Sequence, residues 1–306
     1  MMKRYFSIAG ITICLEADLE WEKIKLNPAL LPFVVDGPGQ DNFVLQRFFE
    51  MPDLSTFNLG SEIYHQPPWA VYQNNTNGHI YYKGILPDNS STPLWTFADF
   101  PLDYTYGKIF NYPSNRDYCN NFYLHNLSGF PSDTIWIAQL MANRCGAIFH
   151  SSAATVNGMG LLFIGRSEAG KSTTFRMLQR VRDKHGYPVT LLCDETNIVR
   201  RLENGWQVCG TWGHGEESEV SAATAPLKGI FVLKQAASNA ITPISDRSLA
   251  LQYVLLTLFR PFMTGAWWEK ALEVVDLLVQ EIPIYEMSFD KSGKIIQVLD
   301  EFTEQL

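Results

Sequence analysis

Gly165-Arg166-Ser167-Glu168-Ala169-Gly170-Lys171-Ser172-Thr173 is the stretch on which the fold of this chain turns. Glycines stand at its first and sixth positions and Lys-Ser follows at once, which is the G-x-x-x-x-G-K-[ST] pattern of a phosphate-binding loop. Each fixed position has a physical job. The glycines let the backbone curl until its N–H groups face one anion, and the helix that follows adds the positive end of its dipole. Lys171 balances β- and γ-phosphate charge, and the Ser172 hydroxyl ligates Mg²⁺. ATP or another nucleoside triphosphate, with Mg²⁺, is therefore the expected cofactor, bound along Gly165, Arg166, Ser167, Glu168, Ala169, Gly170, Lys171, Ser172 and Thr173. Glu168 sets a carboxylate inside an anion nest, which is harmless where the side chain points outward.

Working outward, Leu161-Leu-Phe-Ile164 reads as the strand that feeds the loop, and Ala153-Ala-Thr-Val156 as the strand before it. Asn157-Gly158 between them is a strong hairpin signal, so the feeding strand should run antiparallel to its predecessor. After the loop a helix is expected from Lys171 to about Arg182, stopped by Gly186. Val189-Thr-Leu-Leu-Cys193 then reads as a buried strand ending at Asp194-Glu195. Two carboxylates at the end of such a strand can divide the tasks of metal ligand and general base. A second hairpin (Asn197–Leu202 with Trp206–Cys209), a strand at Gly229–Leu233, helices near 246–260 and 267–281, a strand at Ile284–Met287 and a short terminal helix complete the half.

Residues 1 to 130 are different in texture. They are rich in Pro, Asn, Tyr and Phe, with short strand-like runs such as Trp69-Ala-Val-Tyr72 and His79-Ile-Tyr-Tyr-Lys83 between turn signals. This half is expected to be β-rich, its aromatics Trp69, Trp95, Tyr104 and Tyr106 chiefly core. A helix with apolar spacing from Ser132 to about Arg144 opens the second half, 131–306.

Composition narrows the function classes. The chain has 306 residues, 46% of them hydrophobic, enough to bury a sizeable core. A net charge of −8 argues against nucleic acid or an anionic membrane as partner. The five cysteines, at 14, 119, 145, 193 and 209, form no CxxC pair and read as buried thiols of a reducing, cytoplasmic compartment. Met1 to Leu15 has the basic start and apolar run of a signal peptide, but its β-branched pattern and the absence of a cleavage site suit a strand better. No stretch is long enough to span a bilayer. The sequons at Asn74, Asn89 and Asn126 are read as chance matches.

His150-Ser-Ser-Ala153, the Asn-Gly hairpin, the phosphate-binding loop and Leu192-Cys-Asp-Glu195 together resemble the catalytic core of HPr kinase/phosphorylase-related proteins. Phosphoenolpyruvate carboxykinases share that arrangement. Gly210-Thr-Trp-Gly213 and Pro226-Leu-Lys-Gly-Ile230 resemble a further segment of HPr-kinase-like proteins found with peptide-modifying systems. The resemblance covers about residues 145 to 290. It implies an α/β (α+β) core with a mixed sheet and C-terminal helices behind the β-rich first half. It also implies that Lys171 and Asp194 are catalytic, with Asp194 as base. Ser172, Asp194 and Glu195 would hold the metal, and His150 would sit by the transferring phosphate. The chain departs from the family in Glu195 for a second Asp and in Glu168 where small residues are usual. The implied activity is a kinase that moves the γ-phosphoryl group to a Ser or Thr of a protein or peptide, with the β-rich half recognising that acceptor. A nucleotide-binding regulator or scaffold without transfer is the alternative, and a small-molecule kinase or carboxykinase-like enzyme the third reading. A homo-oligomer is compatible with all three. The loop Gly210-Thr-Trp-Gly-His-Gly215, with three glycines, Trp212 and His214, is a candidate lid.

Overall fold

Alternating apolar and polar residues in the first half are realised as strands. The computed structural model describes residues 2–18, 20–85, 94–112, 123–130, 132–261 and 264–304. These divide into two compact units, residues 1–140 with 261–264 and residues 141–260 with 265–306.

In the first unit, β1 (Met2–Ile8), β2 (Ile11–Ala17), β3 (Lys25–Leu26), β4 (Val34–Val35), β5 (Asp41–Phe48), β6 (Ser61–Gln66), β7 (Trp69–Asn74), β8 (His79–Ile85), β9 (Leu94–Pro101), β10 (Tyr106–Asn111) and β11 (Tyr123–Leu124) follow in order. All but β3 and β11 join one nine-stranded sheet, order β4-β1-β2-β5-β10-β9-β8-β7-β6, parallel at β2/β5 and β5/β10 and antiparallel elsewhere. β5 shows why: Phe43, Leu45 and Arg47 alternate inward. The buried Arg47 guanidinium is satisfied by Asn111 Oδ1 at 2.7 Å. Trp69 and Tyr104 are core, while Trp95 and Tyr106 are half-buried. Asn74 is buried and donates to the Asn58 carbonyl at 2.8 Å, whereas Asn89 lies outside the described residues. Helix α1 (Thr134–Ala142) follows, and the division between the two units falls in its last turn, after Leu140.

The second unit is built on a mixed eight-stranded sheet of β12 (Gly146–Val156), β13 (Met159–Ile164), β14 (Val189–Cys193), β15 (Thr196–Leu202), β16 (Gly205–Cys209), β17 (Thr224–Gln235), β18 (Ala240–Pro243) and β19 (Ile284–Phe289). Asn157 and Gly158, at φ +51° and +79°, take the left-handed backbone of a tight hairpin and set β12 antiparallel to β13. β13 is also parallel to β17, so the strand that feeds the loop is antiparallel on one side and parallel on the other. β12 and β17 are longer than the sequence reading because each serves two sets of neighbours. β12 pairs β15 through Gly146–His150 and both β13 and β14 beyond, and β17 pairs β16 at its start and β13 and β19 along the rest.

Helix α2 (Lys171–His185) follows the loop and ends at Gly186, φ +64°, whose N–H bonds the Arg182 carbonyl. Helices α3 (Arg247–Thr257), α4 (Gly265–Glu281) and α5 (Ile295–Thr303) complete the unit. One face of the sheet buries Leu162, Ile164, Val254, Trp267 and Val275, with α3 and α4; the other buries Phe163, Phe175, Leu178, Phe231 and Leu299, with α2 and α5. A sheet covered by helices on both faces carries strands that read as continuous apolar runs. The cysteine expectation needs one correction: Cys14, Cys193 and Cys209 are buried, but Cys145 is exposed. It occupies a left-handed turn position, φ +51°, before β12. Cys119 lies outside the described residues. Among the described residues no helix is long and apolar enough to cross a membrane.

Candidate functional site

The phosphate-binding loop joins the end of β13 to the start of α2, and its geometry depends on two close approaches. A Cβ on Gly165 would stand 2.7 Å from the Ala169 Cβ, and one on Gly170, φ +113°, would stand 2.5 Å from Phe289 Cζ. Glycine is required at both. Gly170 caps α2 without a side-chain hydrogen bond, so the first-turn N–H groups are open to whatever enters. Glu168 takes φ +64°, a conformation that costs a non-glycine residue about 1 kcal/mol or more. Its carbonyl accepts from Gln235 Nε2 at 2.7 Å, which pins the loop to the end of β17. The Glu168 side chain is exposed but lines the cleft, so its charge is felt there.

A cleft of about 610 Å³ opens over the loop, lined by His150, Ser167, Glu168, Gly170, Lys171, Ser172, Thr173, Arg176, Asp194, Glu195 and Glu216. The fold thus brings Lys171, Ser172, His150 and the carboxylate pair to one wall. Gly165, Arg166 and Ala169 shape the loop from outside that lining. Lys171 is only 7% exposed, and its ammonium donates to the Gly165 and Arg166 carbonyls at 3.1 and 3.3 Å. Burial pulls its pKa below the ordinary lysine value, partly opposed by Glu195. A phosphate entering the cleft would meet a poorly solvated cation held on weak neutral acceptors.

His150 on β12 and Glu195 form a dyad. The His150 Nδ1 lies 3.1 Å from Glu195 Oε1 and also 3.1 Å from the Glu195 carbonyl. The hydrogen bond to His150 holds the Glu195 carboxyl below its ordinary value, helped by Lys171. Both side chains are close to half exposed, which leaves the dyad open to a reactant.

Asp194 is placed differently. It is 1% exposed, and its two oxygens accept from the Gly215 N–H at 2.8 Å and the Glu217 N–H at 3.0 Å. It borders the cleft but also anchors the segment that follows β16. That segment is held further by Arg176 of α2, which pairs with Glu216 and Glu217 at 2.5 Å each, and by Gln179 and Arg182, which both bind Glu219. Sequence reasoning did not find this strap. The spacing of Arg176, Gln179 and Arg182 along one helix face was its only legible sign.

The candidate lid at 210–215 is corrected by the same geometry. Trp212 is buried, Thr211 Oγ1 donates to the Thr196 carbonyl at 2.7 Å, and a Cβ on Gly210 would meet the Ser221 carbonyl at 2.0 Å. The glycine there permits tight packing and supplies no hinge. The exposed part of the segment begins at His214.

The residues fit a triphosphate with Mg²⁺ to this extent. The loop offers open amides and a buried cation, and Ser172 and Glu195 offer hard oxygens on the cleft wall. Among the described residues no group of three or more His, Cys, Asp or Glu forms a metal cluster of its own. Mg²⁺ does not require one, since it is commonly held by one or two protein oxygens together with phosphates and water.

No family model matches the chain, and no curated protein matches it. Among solved structures it is similar to the HPr(Ser) kinase/phosphatase from Coxiella burnetii, at 8% identity and a TM-score of 0.30, over 52% of this chain and 93% of that one. So slight a likeness carries no weight for function.

Proposed function

We propose that this protein is a nucleoside-triphosphate-dependent kinase, using Mg²⁺, that transfers the γ-phosphoryl group to a Ser or Thr hydroxyl of a protein or peptide. The observation that carries the reading is the convergence of the loop, Lys171 and the His150–Glu195 dyad on one cleft. When bound, the metal nucleotide supplies the phosphoryl group and neutralises its charge. The chain's own residues do the rest. The first-turn amides of α2 and Lys171 would hold the phosphates, with the Ser172 hydroxyl as the metal-side oxygen. A carboxylate of the 194–195 pair takes the acceptor's proton. Glu195, oriented by His150 and half exposed, is better placed for that than the strap-bound Asp194.

The test is mass spectrometry of peptides and carrier proteins encoded beside this chain's gene, incubated with the protein and Mg²⁺-ATP. Added phosphate on a Ser or Thr, absent with Lys171→Ala, is expected. ATP binding without any phosphorylated product would favour a regulatory nucleotide-binding module instead. The commitment of both Asp194 oxygens to the strap is the observation that speaks for that second reading.

A further inference from the structure

Beyond the start of α2 lies a second, smaller cavity of about 140 Å³, lined by Gly170, Thr173, Gln235, Ala236, Phe289, Asp290 and Lys291. We infer that it is the sugar subsite of the nucleotide, taking the ribose ring and leaving the base at its rim. The inference rests on the reading of the loop as a triphosphate site.

Continuity gives the direction. Gly170 and Thr173 line both the large cleft and this cavity, so only the first turn of α2 separates them. His150, Lys171, Asp194 and Glu195 all lie on the large-cleft side, which fixes the reacting end of the triphosphate there. The nucleoside end must then leave across Gly170 and Thr173. Gly170 packs against the Phe289 ring, where a Cβ would stand 2.5 Å from Cζ, so a side chain at 170 would intrude on the wall that the cleft and the cavity share.

Chemistry and size give the ligand. Phe289 is 2% exposed, so it forms an apolar wall and offers no face on which a base could stack. Asp290 is fixed in orientation because the Ser292 N–H, at 2.9 Å, and the Ser292 hydroxyl both donate to its Oδ1. The Asn239 side chain also hydrogen-bonds this carboxyl, and a carboxylate with about four lone-pair sites still keeps one for a sugar hydroxyl, the pairing by which acidic residues commonly bind ribose. Gln235 spends its Nε2 on the Glu168 carbonyl and keeps its oxygen as a second acceptor. Lys291 is exposed at the rim, where it can meet the phosphate nearest the sugar. A cavity of about 140 Å³ has room for one ring and not for a whole nucleoside. One sugar ring fills it and a base does not fit beside it.

Isothermal titration of the whole chain with Mg²⁺ complexes of ATP, GTP, dATP and inorganic tripolyphosphate tests this. ATP and GTP are expected to bind within about threefold of each other, and dATP about tenfold more weakly through loss of one hydrogen bond to a charged group. In Asp290→Asn the ATP-to-dATP difference should shrink to about threefold or less while tripolyphosphate affinity holds, with a melting curve to confirm folding. Equal binding of ATP, dATP and tripolyphosphate by the unaltered protein would overturn the sugar subsite and leave the triphosphate site standing. A preference above tenfold between ATP and GTP would overturn the claim that the base is unread. Binding of none of the four would overturn the sugar subsite and the proposed function together.

Discussion

A carboxylate with 1% exposure needs partners for its charge, and Asp194 finds them in two backbone N–H groups, those of Gly215 and Glu217. Asparagine at that position keeps one acceptor and turns an NH₂ group toward the other amide. Asp194→Asn should therefore destabilise the protein by about 1–3 kcal/mol, the cost of an unsatisfied buried group, and lower its melting temperature by several degrees. Glu195→Gln is the contrast. Its side chain is 44% exposed and its partner is His150, so melting should stay within about a degree while phosphoryl transfer falls at least a hundredfold. Unchanged melting in Asp194→Asn would show that the strap does not depend on that carboxylate. Glu168→Gly should relieve the left-handed backbone and remove a charge from the cleft, tightening triphosphate binding several-fold by titration. The roles of Lys171 and Ser172 were legible because the loop motif is local. Those of Asp194 were not, because its partners lie 21 and 23 residues away and are backbone atoms with no side-chain signature.

At the scale of elements, the strap that begins at His214 lies against α2 through the Arg176, Gln179 and Arg182 contacts. Glu219 has its carboxyl held below the ordinary glutamate value chiefly by the hydrogen bond to Arg182. A lowered folded-state value means that the contact stabilises the folded strap above the unfolded glutamate's value, and that this is lost as pH falls through the folded one. Amide exchange in 214–220 should accordingly be protected at neutral pH and lose protection below the ordinary glutamate range, before the sheet strands do. Equal protection at both pH values would remove the ion pairs from the account. The hairpin of β12 and β13 was readable from Asn157-Gly158, since only a few backbone conformations fit that turn. The added lengths of β12 and β17, and β18 altogether, were not readable. Their residues pair with strands far away in sequence, and local propensity does not encode such partners.

At the scale of the molecule, a chain with net charge −8 holds a buried cation, Lys171, in the lining of a cleft that also carries Glu168, Glu195 and Glu216. Arg176 on the same lining is engaged by Glu216 and Glu217, so an anionic ligand must be drawn in chiefly by the loop's amides and the Lys171 ammonium against those carboxylates, and Mg²⁺ should matter to affinity as well as to chemistry. The mixed sheet and its flanking helices were legible in outline from the alternation of apolar runs with helical spacing. The central claim is that Lys171 and the loop bind a nucleoside triphosphate. Titration of Mg²⁺-ATP onto the unaltered chain and onto Lys171→Ala, with melting curves for both, tests it most directly. Saturable one-to-one binding that weakens about tenfold to a hundredfold in the variant, at unchanged melting temperature, is the expected result. Identical affinity in the two proteins, or no binding to either, would contradict it.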